Sequence, residues 1–231
     1  MRFYSYAQEY EDLALYLALR DIKKIFYIDV GANDPTYLSV TKFFYLGGGN
    51  GINIEPLRDK CGQLQAERTR DINLCVGIGA KEGEKELVCS GTGSTFSMET
   101  IRNGEFEKCP RHKKKIFTLT QIYEQYCKEK QEVHFCKIDV EGFEKEVLEG
   151  CNFHIFRPWI FVIEAMKPGT SIPSYKEWED ILLKNGYVLG YDKGINRYYV
   201  DERKEYLLDK FREIDQFIEE NEVIKMEMVW K

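Results

Sequence analysis

No stretch of the 231 residues stays apolar for the length of a membrane span. The opening run, Met-Arg-Phe-Tyr-Ser-Tyr-Ala-Gln-Glu, has no apolar core of the kind a secretion signal needs. Positive charge is not in excess. Lys and Arg total 33 against 39 Asp and Glu, a formal net charge of -6, which argues against a nucleic-acid backbone as partner. The seven cysteines (Cys61, Cys75, Cys89, Cys109, Cys127, Cys136, Cys151) contain no C-x-x-C pair, and no N-x-[ST] sequon occurs. His112, His134 and His154 lack metal-ligand spacing such as H-E-x-x-H. An odd, scattered cysteine set makes a poor disulfide framework, so the reading is free thiols in a reducing cytoplasm. Repeats and low-complexity tracts are missing. Hydrophobic residues at 43% and aromatics at 14% suffice for a core, which excludes disorder and collagen-like classes.

What is present is an alternation of strands and helices. Ile25–Val30 is a nearly continuous apolar run, the kind buried on both faces of a parallel sheet. A helix over residues 7–20 precedes it, and a helix from Ser39 to Tyr45 follows, ended by Gly47-Gly48-Gly49. Strands are expected at 51–55, 72–78, 84–89, 134–140 and 159–164, and helices at 56–68, from a Thr120 cap to about 130, at 143–149 and at 175–185. Residues 90–115 are the least regular, with a basic run at 111–115. Lys193-Gly194 marks a hairpin between 187–192 and 195–200. This pattern predicts an α/β fold around a mostly parallel sheet with an antiparallel edge. Leu207, Leu208, Phe211, Ile214, Phe217 and Ile218 give a C-terminal helix an apolar stripe, for core packing or a dimer seam.

Ligands of open parallel sheets bind beyond the carboxyl ends of the strands. Those ends carry Asp29-Val30-Gly31-Ala32-Asn33, Glu55-Pro56, Gly77-Ile78-Gly79, Asp139-Val140-Glu141-Gly142 and Glu164-Ala165. Unpaired buried charge is costly, so acids gathered there imply a ligand with hydroxyls, a positive charge or a metal. Glu55 stands near the expected place for an acid that binds a ribose diol. The loop after the first strand lacks the second and third glycines of G-x-G-x-x-G, and no G-x-x-x-x-G-K-[ST] loop exists. An adenosine ligand without a pyrophosphate fits better, which points to S-adenosylmethionine.

The runs Asp29-Val-Gly-Ala-Asn-Asp-Pro, Ser39-Val-Thr-Lys-Phe-Phe-Tyr, Gly51-Ile-Asn-Ile-Glu-Pro, and Lys137-Ile-Asp-Val-Glu-Gly-Phe-Glu with Val147-Leu-Glu-Gly resemble the FkbM-type methyltransferases. Arg157-Pro-Trp, Ile163-Glu-Ala and Gly194-Ile-Asn-Arg-Tyr-Tyr-Val are similar to a carbohydrate-gene-cluster branch of that family. The likeness covers roughly residues 4–200. It implies a class I Rossmann-like fold with a seven-stranded sheet over residues 1–200. Residues 201–231 would then be a helical extension, packed on the same domain or on a dimer partner. It also implies methyl transfer from S-adenosylmethionine to oxygen, commonly a sugar hydroxyl. Gly31 and Asn33 would lie against the methionine part, Glu55 on the ribose, and Gly77, Ile78 and Gly79 beside the adenine. Asp29 and Ser39 complete the expected cofactor set.

Methyl transfer requires an aligned acceptor oxygen and removal of its proton. Asp139 or Glu141 is the expected base or orienting group, assisted by Glu164. In a metal-assisted version the same three carboxylates hold a magnesium or manganese ion that binds vicinal hydroxyls. Glu144 reads as a solvated residue or as a cap for the Gly142 turn, the basic 111–115 run as an exposed loop or a phosphate holder, and Trp159 and Trp178 as core. The expected acceptor is a nucleotide-sugar or glycan precursor. A polyketide or lipid hydroxyl is the alternative within enzymes, and a non-catalytic adenosine-binding module the alternative outside them.

Overall fold

Two-sided burial of Phe26–Val30 sets the architecture: Ile28 and Val30 enter one hydrophobic layer, and Tyr27 enters the opposite one. The computed structural model describes residues 2–89, 94–102 and 109–226, so parts of the irregular 90–115 segment, its Gly91-Thr92-Gly93 included, lie outside the described residues. In chain order the elements are β1 (Arg2–Ser5), α1 (Glu11–Leu19), β2 (Phe26–Val30), α2 (Lys42–Leu46), β3 (Asn50–Ile54), α3 (Arg58–Glu67), β4 (Ile72–Leu74), β5 (Gly77–Ile78), β6 (Gly83–Val88), α4 (Met98–Arg102) and β7 (Arg111–Phe117). Then come α5 (Leu119–Tyr126), β8 (Phe135–Ile138), α6 (Glu144–Glu149), β9 (Ile160–Glu164), α7 (Glu179–Lys184), β10 (Tyr187–Lys193), β11 (Asn196–Asp201), α8 (Leu208–Phe211), α9 (Ile214–Glu220) and β12 (Glu222–Lys225).

Seven strands form one sheet in the order β10-β11-β9-β8-β2-β3-β4. The pairs β2–β3, β3–β4, β2–β8 and β8–β9 are parallel, and β11 runs against both β9 and β10. This is the mostly parallel sheet with a terminal hairpin that the pattern predicts. The chain winds outward from β2 to β4 and returns to place β8 on the other side of β2. The reversal opens a crevice at the carboxyl ends of these two central strands. Period-two alternation sends Ile52, Ile54, Cys136, Ile138, Phe161 and Ile163 into one layer. Phe135, Ile160, Val162, Tyr198 and Val200 enter the other, under α1 and α8.

Several expectations change. The strand over 72–78 divides, because β5 leaves the main sheet to join a small one in the order β5-β7-β6. The basic run belongs to β7 rather than to a loop, with Lys113 opposite Glu86 and Lys115 opposite Glu84. Thr118, not Thr120, caps α5, through a reciprocal capping box with Gln121. The helix expected from Ser39 begins only at Lys42. The C-terminal helix is broken into a 3-10 segment, α8 and α9, and β12 then pairs in parallel with β1. Its stripe is used within the chain: Leu207, Phe211 and Ile214 are buried against α1.

Cys61 on α3 and Cys75 after β4 form a disulfide, with Cα atoms 5.5 Å apart. This corrects the free-thiol reading for that pair. The bond ties α3 to the chain that leads into β5. With a sequence separation of 14, reduction should cost about 3 kcal/mol, a fall of roughly 6–12 °C in Tm. Thermal scans with and without reductant, and of Cys61→Ser with Cys75→Ser, check this; superimposable curves would contradict it.

Candidate active site

The loop leaving β2 makes a sharp turn on Gly31, whose φ is +80°. A Cβ there would stand 1.8 Å from the Asp139 carbonyl oxygen. Glycine is therefore demanded by the convergence of the exits of β2 and β8, a nearer cause than the ligand approach expected from sequence. The Gly31 and Ala32 amides donate to Ile54 O at 3.0 and 3.2 Å. Asn33, left-handed at φ 50°, donates its amide to Glu55 Oε2 at 2.8 Å. The Leu57 amide donates to Glu55 Oε1 at 2.7 Å. Glu55 is thus held rigidly at the tip of β3, and burial raises its pKa while these two amides oppose the rise. Asp34 fixes the outer part of the loop through the Thr36 and Tyr37 amides and an ion pair with Lys60 at 3.0 Å.

These strand ends border a cleft of about 400 Å³. From the expected residues it brings together Gly31, Asn33, Glu55, Gly77, Ile78, Asp139 and Glu141. Leu57, Val76, Leu87 and Phe96 add an apolar slot. Four expected residues do not line it. Asp29 is buried beneath, Ser39 is buried beside Thr41, Gly79 packs against Ile116 and Phe143, and Glu164 lies deeper, by Asp139.

Lys137 organises the acids. Its Nζ donates to Gly31 O at 3.1 Å and pairs with Asp139 at 3.2 Å and Asp29 at 3.7 Å. Burial works against the ammonium, but Asp139 and Asp29 outweigh it and hold its pKa above the ordinary range. Glu141 sits in the cleft with φ 57°, and burial, then the Asp139 charge, raise its pKa to about 7 while Lys137 opposes them. Burial, then the charges of Asp139, Glu144 and Glu141, push the Glu164 pKa far above the usual carboxylate range, which favours its neutral form beside Asp139. Glu144 is buried, and its Oε1 accepts from the Val140 and Gly142 amides, both at 3.1 Å. It caps the Gly142 turn.

Among the described residues no group of three or more His, Cys, Asp and Glu side chains could hold a metal ion. Asp139, Glu141 and Glu164 therefore do not form the ligand set that the metal-assisted version expects. Lys137 stands as a fixed cation beside Asp139.

The family described as methyltransferase FkbM domain matches residues 29–189, more than half of the chain. The chain belongs to the FkbM methyltransferase family. No curated protein matches it. In this methyltransferase the matched span opens on Asp29 and holds every cleft residue discussed above. Gln8, from the segment between β1 and α1, lines the cleft from outside that span.

Sequence reading overlooked Lys137 and Arg68. The period-two rule carried the signal for the first, since Lys137 and Asp139 stand two residues apart on one strand face. Arg68 is fully buried; it donates to Asp71 at 3.1 Å, to Pro35 O at 3.0 Å and to Thr41 Oγ1 at 2.7 Å. Thr41 in turn donates to Asp29 at 3.1 Å, so Arg68 braces the loop and the acid behind it. Nothing local in the sequence marks an arginine at the end of α3 for that role.

Proposed function

We propose that this methyltransferase uses S-adenosylmethionine to methylate a sugar hydroxyl of a nucleotide-sugar or glycan precursor, on a class I Rossmann-like arrangement. The observation that carries the reading is Glu55, a carboxylate immobilised by two backbone amides at the rim of a nucleoside-sized cleft beside the β2 turn. The residues present fit the cofactor. Glu55 keeps lone pairs free for a ribose diol, Ile78, Leu87 and Phe96 offer an apolar slot for a purine, and Gly31 and Asn33 shape the floor beside Asp139. When bound, the cofactor supplies an activated sulfonium methyl group.

The remaining work falls to the chain. Glu141, with its pKa raised to about 7, is matched to taking a proton from a weakly acidic hydroxyl near neutral pH. Asp139, fixed by Lys137, orients the acceptor oxygen. Glu144 locks the 140–142 backbone that carries Glu141. A binding module has no use for a cleft carboxylate tuned in this way, which favours the enzyme over a scaffold.

Titration calorimetry tests the cofactor claim. S-adenosylmethionine should bind the wild type, and Glu55→Gln should weaken it by about 10–100-fold, the loss of hydrogen bonds to a charged acceptor. No binding by the wild type, or undiminished binding by the variant, overturns the assignment.

A further inference from the structure

A second cleft, of about 590 Å³, adjoins the first; Phe96 borders both. The partition between them is the pair Glu141–Gly142, both left-handed (φ 57° and 89°), with Glu141 facing the first cleft and Gly142 the second. Thr95 Oγ1 and Thr100 Oγ1 donate to the Glu141 carbonyl at 2.7 and 3.4 Å and steady it.

Among the described residues, two of the second cleft carry buried polar atoms without a partner: Trp178 Nε1, in a side chain 1% exposed, and Ser174 Oγ, in one 6% exposed. Leaving such groups unpaired is costly, and native proteins rarely do so without cause. Both are held in place. The Ser174 amide donates to Ala165 O at 2.7 Å, and the Trp178 ring packs edge-on against Tyr199 with centroids 5.7 Å apart.

We infer that the second cleft is the acceptor subsite and receives a polyhydroxylated ring, with the Trp178 indole N–H donating to one ring oxygen and Ser174 Oγ bonding another. The inference rests on the proposed sugar methylation and names the residues that would recognise the acceptor. An indole nitrogen only donates, so its partner must present an oxygen, whereas the serine hydroxyl both donates and accepts, as sugar hydroxyls do. An aliphatic occupant would leave both atoms unpaired. A phosphate fits poorly, because among the described residues of the wall three lysines meet four glutamates, and Lys167 is already paired with Glu99 at 3.0 Å and Glu177 at 3.3 Å. Glu141, the proposed base, directly precedes Gly142 of this cleft's wall, so the subsite lies beside it.

The test is nuclear magnetic resonance of ¹⁵N-labelled protein loaded with S-adenosylhomocysteine, the Trp178 indole resonance being assigned with Trp178→Phe. Methyl glycosides of the common hexoses, deoxyhexoses and pentoses should shift that resonance saturably and leave the Trp159 indole in place. Ser174→Ala, a one-atom deletion, should weaken glycoside binding about fivefold, the worth of one hydrogen bond, with S-adenosylhomocysteine affinity unchanged. A Trp178 resonance unmoved by every glycoside, or moved by a long-chain alcohol alone, overturns the subsite. Failure of S-adenosylhomocysteine to bind at all instead overturns the functional reading beneath it.

Discussion

Glutamine in place of Glu141 lowers turnover by about 10²–10⁴-fold, the usual contribution of a general base, and leaves S-adenosylmethionine affinity unchanged. Glutamine keeps the volume and the left-handed backbone of residue 141 but cannot take a proton. The pH dependence gives an independent check. Burial and the neighbouring Asp139 raise the Glu141 pKa to about 7, and a base works only when deprotonated. The wild-type rate should therefore climb as pH rises through about 7 and level off above it. The residual rate of Glu141→Gln should lose that step. A variant that retains most of its turnover, or one that keeps the same step, would move the role of base to Asp139, which in the present reading only orients the acceptor.

Lys137→Met should cost about 3–5 kcal/mol of stability, the range for breaking a buried ion pair, or roughly 6–20 °C in Tm. The ammonium is the counter-ion of Asp29, which is 1% exposed, and of Asp139, and it also holds the Gly31 carbonyl. Removing it leaves acids packed together at the crevice. The loss has a pH signature with a definite sign. Lys137 lowers the pKa values of Asp29 and Glu141, so without it both rise further above their unfolded values. A carboxyl whose folded pKa is raised supports the fold fully below its unfolded pKa, and that support is lost as pH climbs through the folded one. The gap in Tm between wild type and variant should thus widen from acidic to mildly alkaline buffer. Equal gaps at both ends would show that Lys137 is not the charge partner of these acids.

The main sheet was legible because its central strands are short, continuous apolar runs, and the crevice was legible because parallel strands gather their carboxyl ends at one edge. Gly31, Asn33, Glu55, Gly77, Ile78, Asp139 and Glu141 meet there for that reason. What escaped depends on distant partners. β1 and β12 are four-residue strands that find each other across almost the whole chain, and no local pattern announces such pairing. The break between α8 and α9 carries no glycine or proline to mark it. The Cys61–Cys75 bond was hidden by an odd cysteine count, since spacing alone does not determine pairing. Trp178 was read as core, and its ring is; the unpartnered nitrogen shows only when every neighbour is in place.

Incubation of the wild type with S-adenosylmethionine and a panel of nucleotide-sugars and glycan precursors, read by mass spectrometry, bears most directly on the central claim. The account predicts that at least one sugar gains the mass of a single methyl group, and that the gain fades with Glu141→Gln. Cofactor bound with no sugar methylated, while a polyketide or lipid alcohol gains the methyl instead, would contradict it.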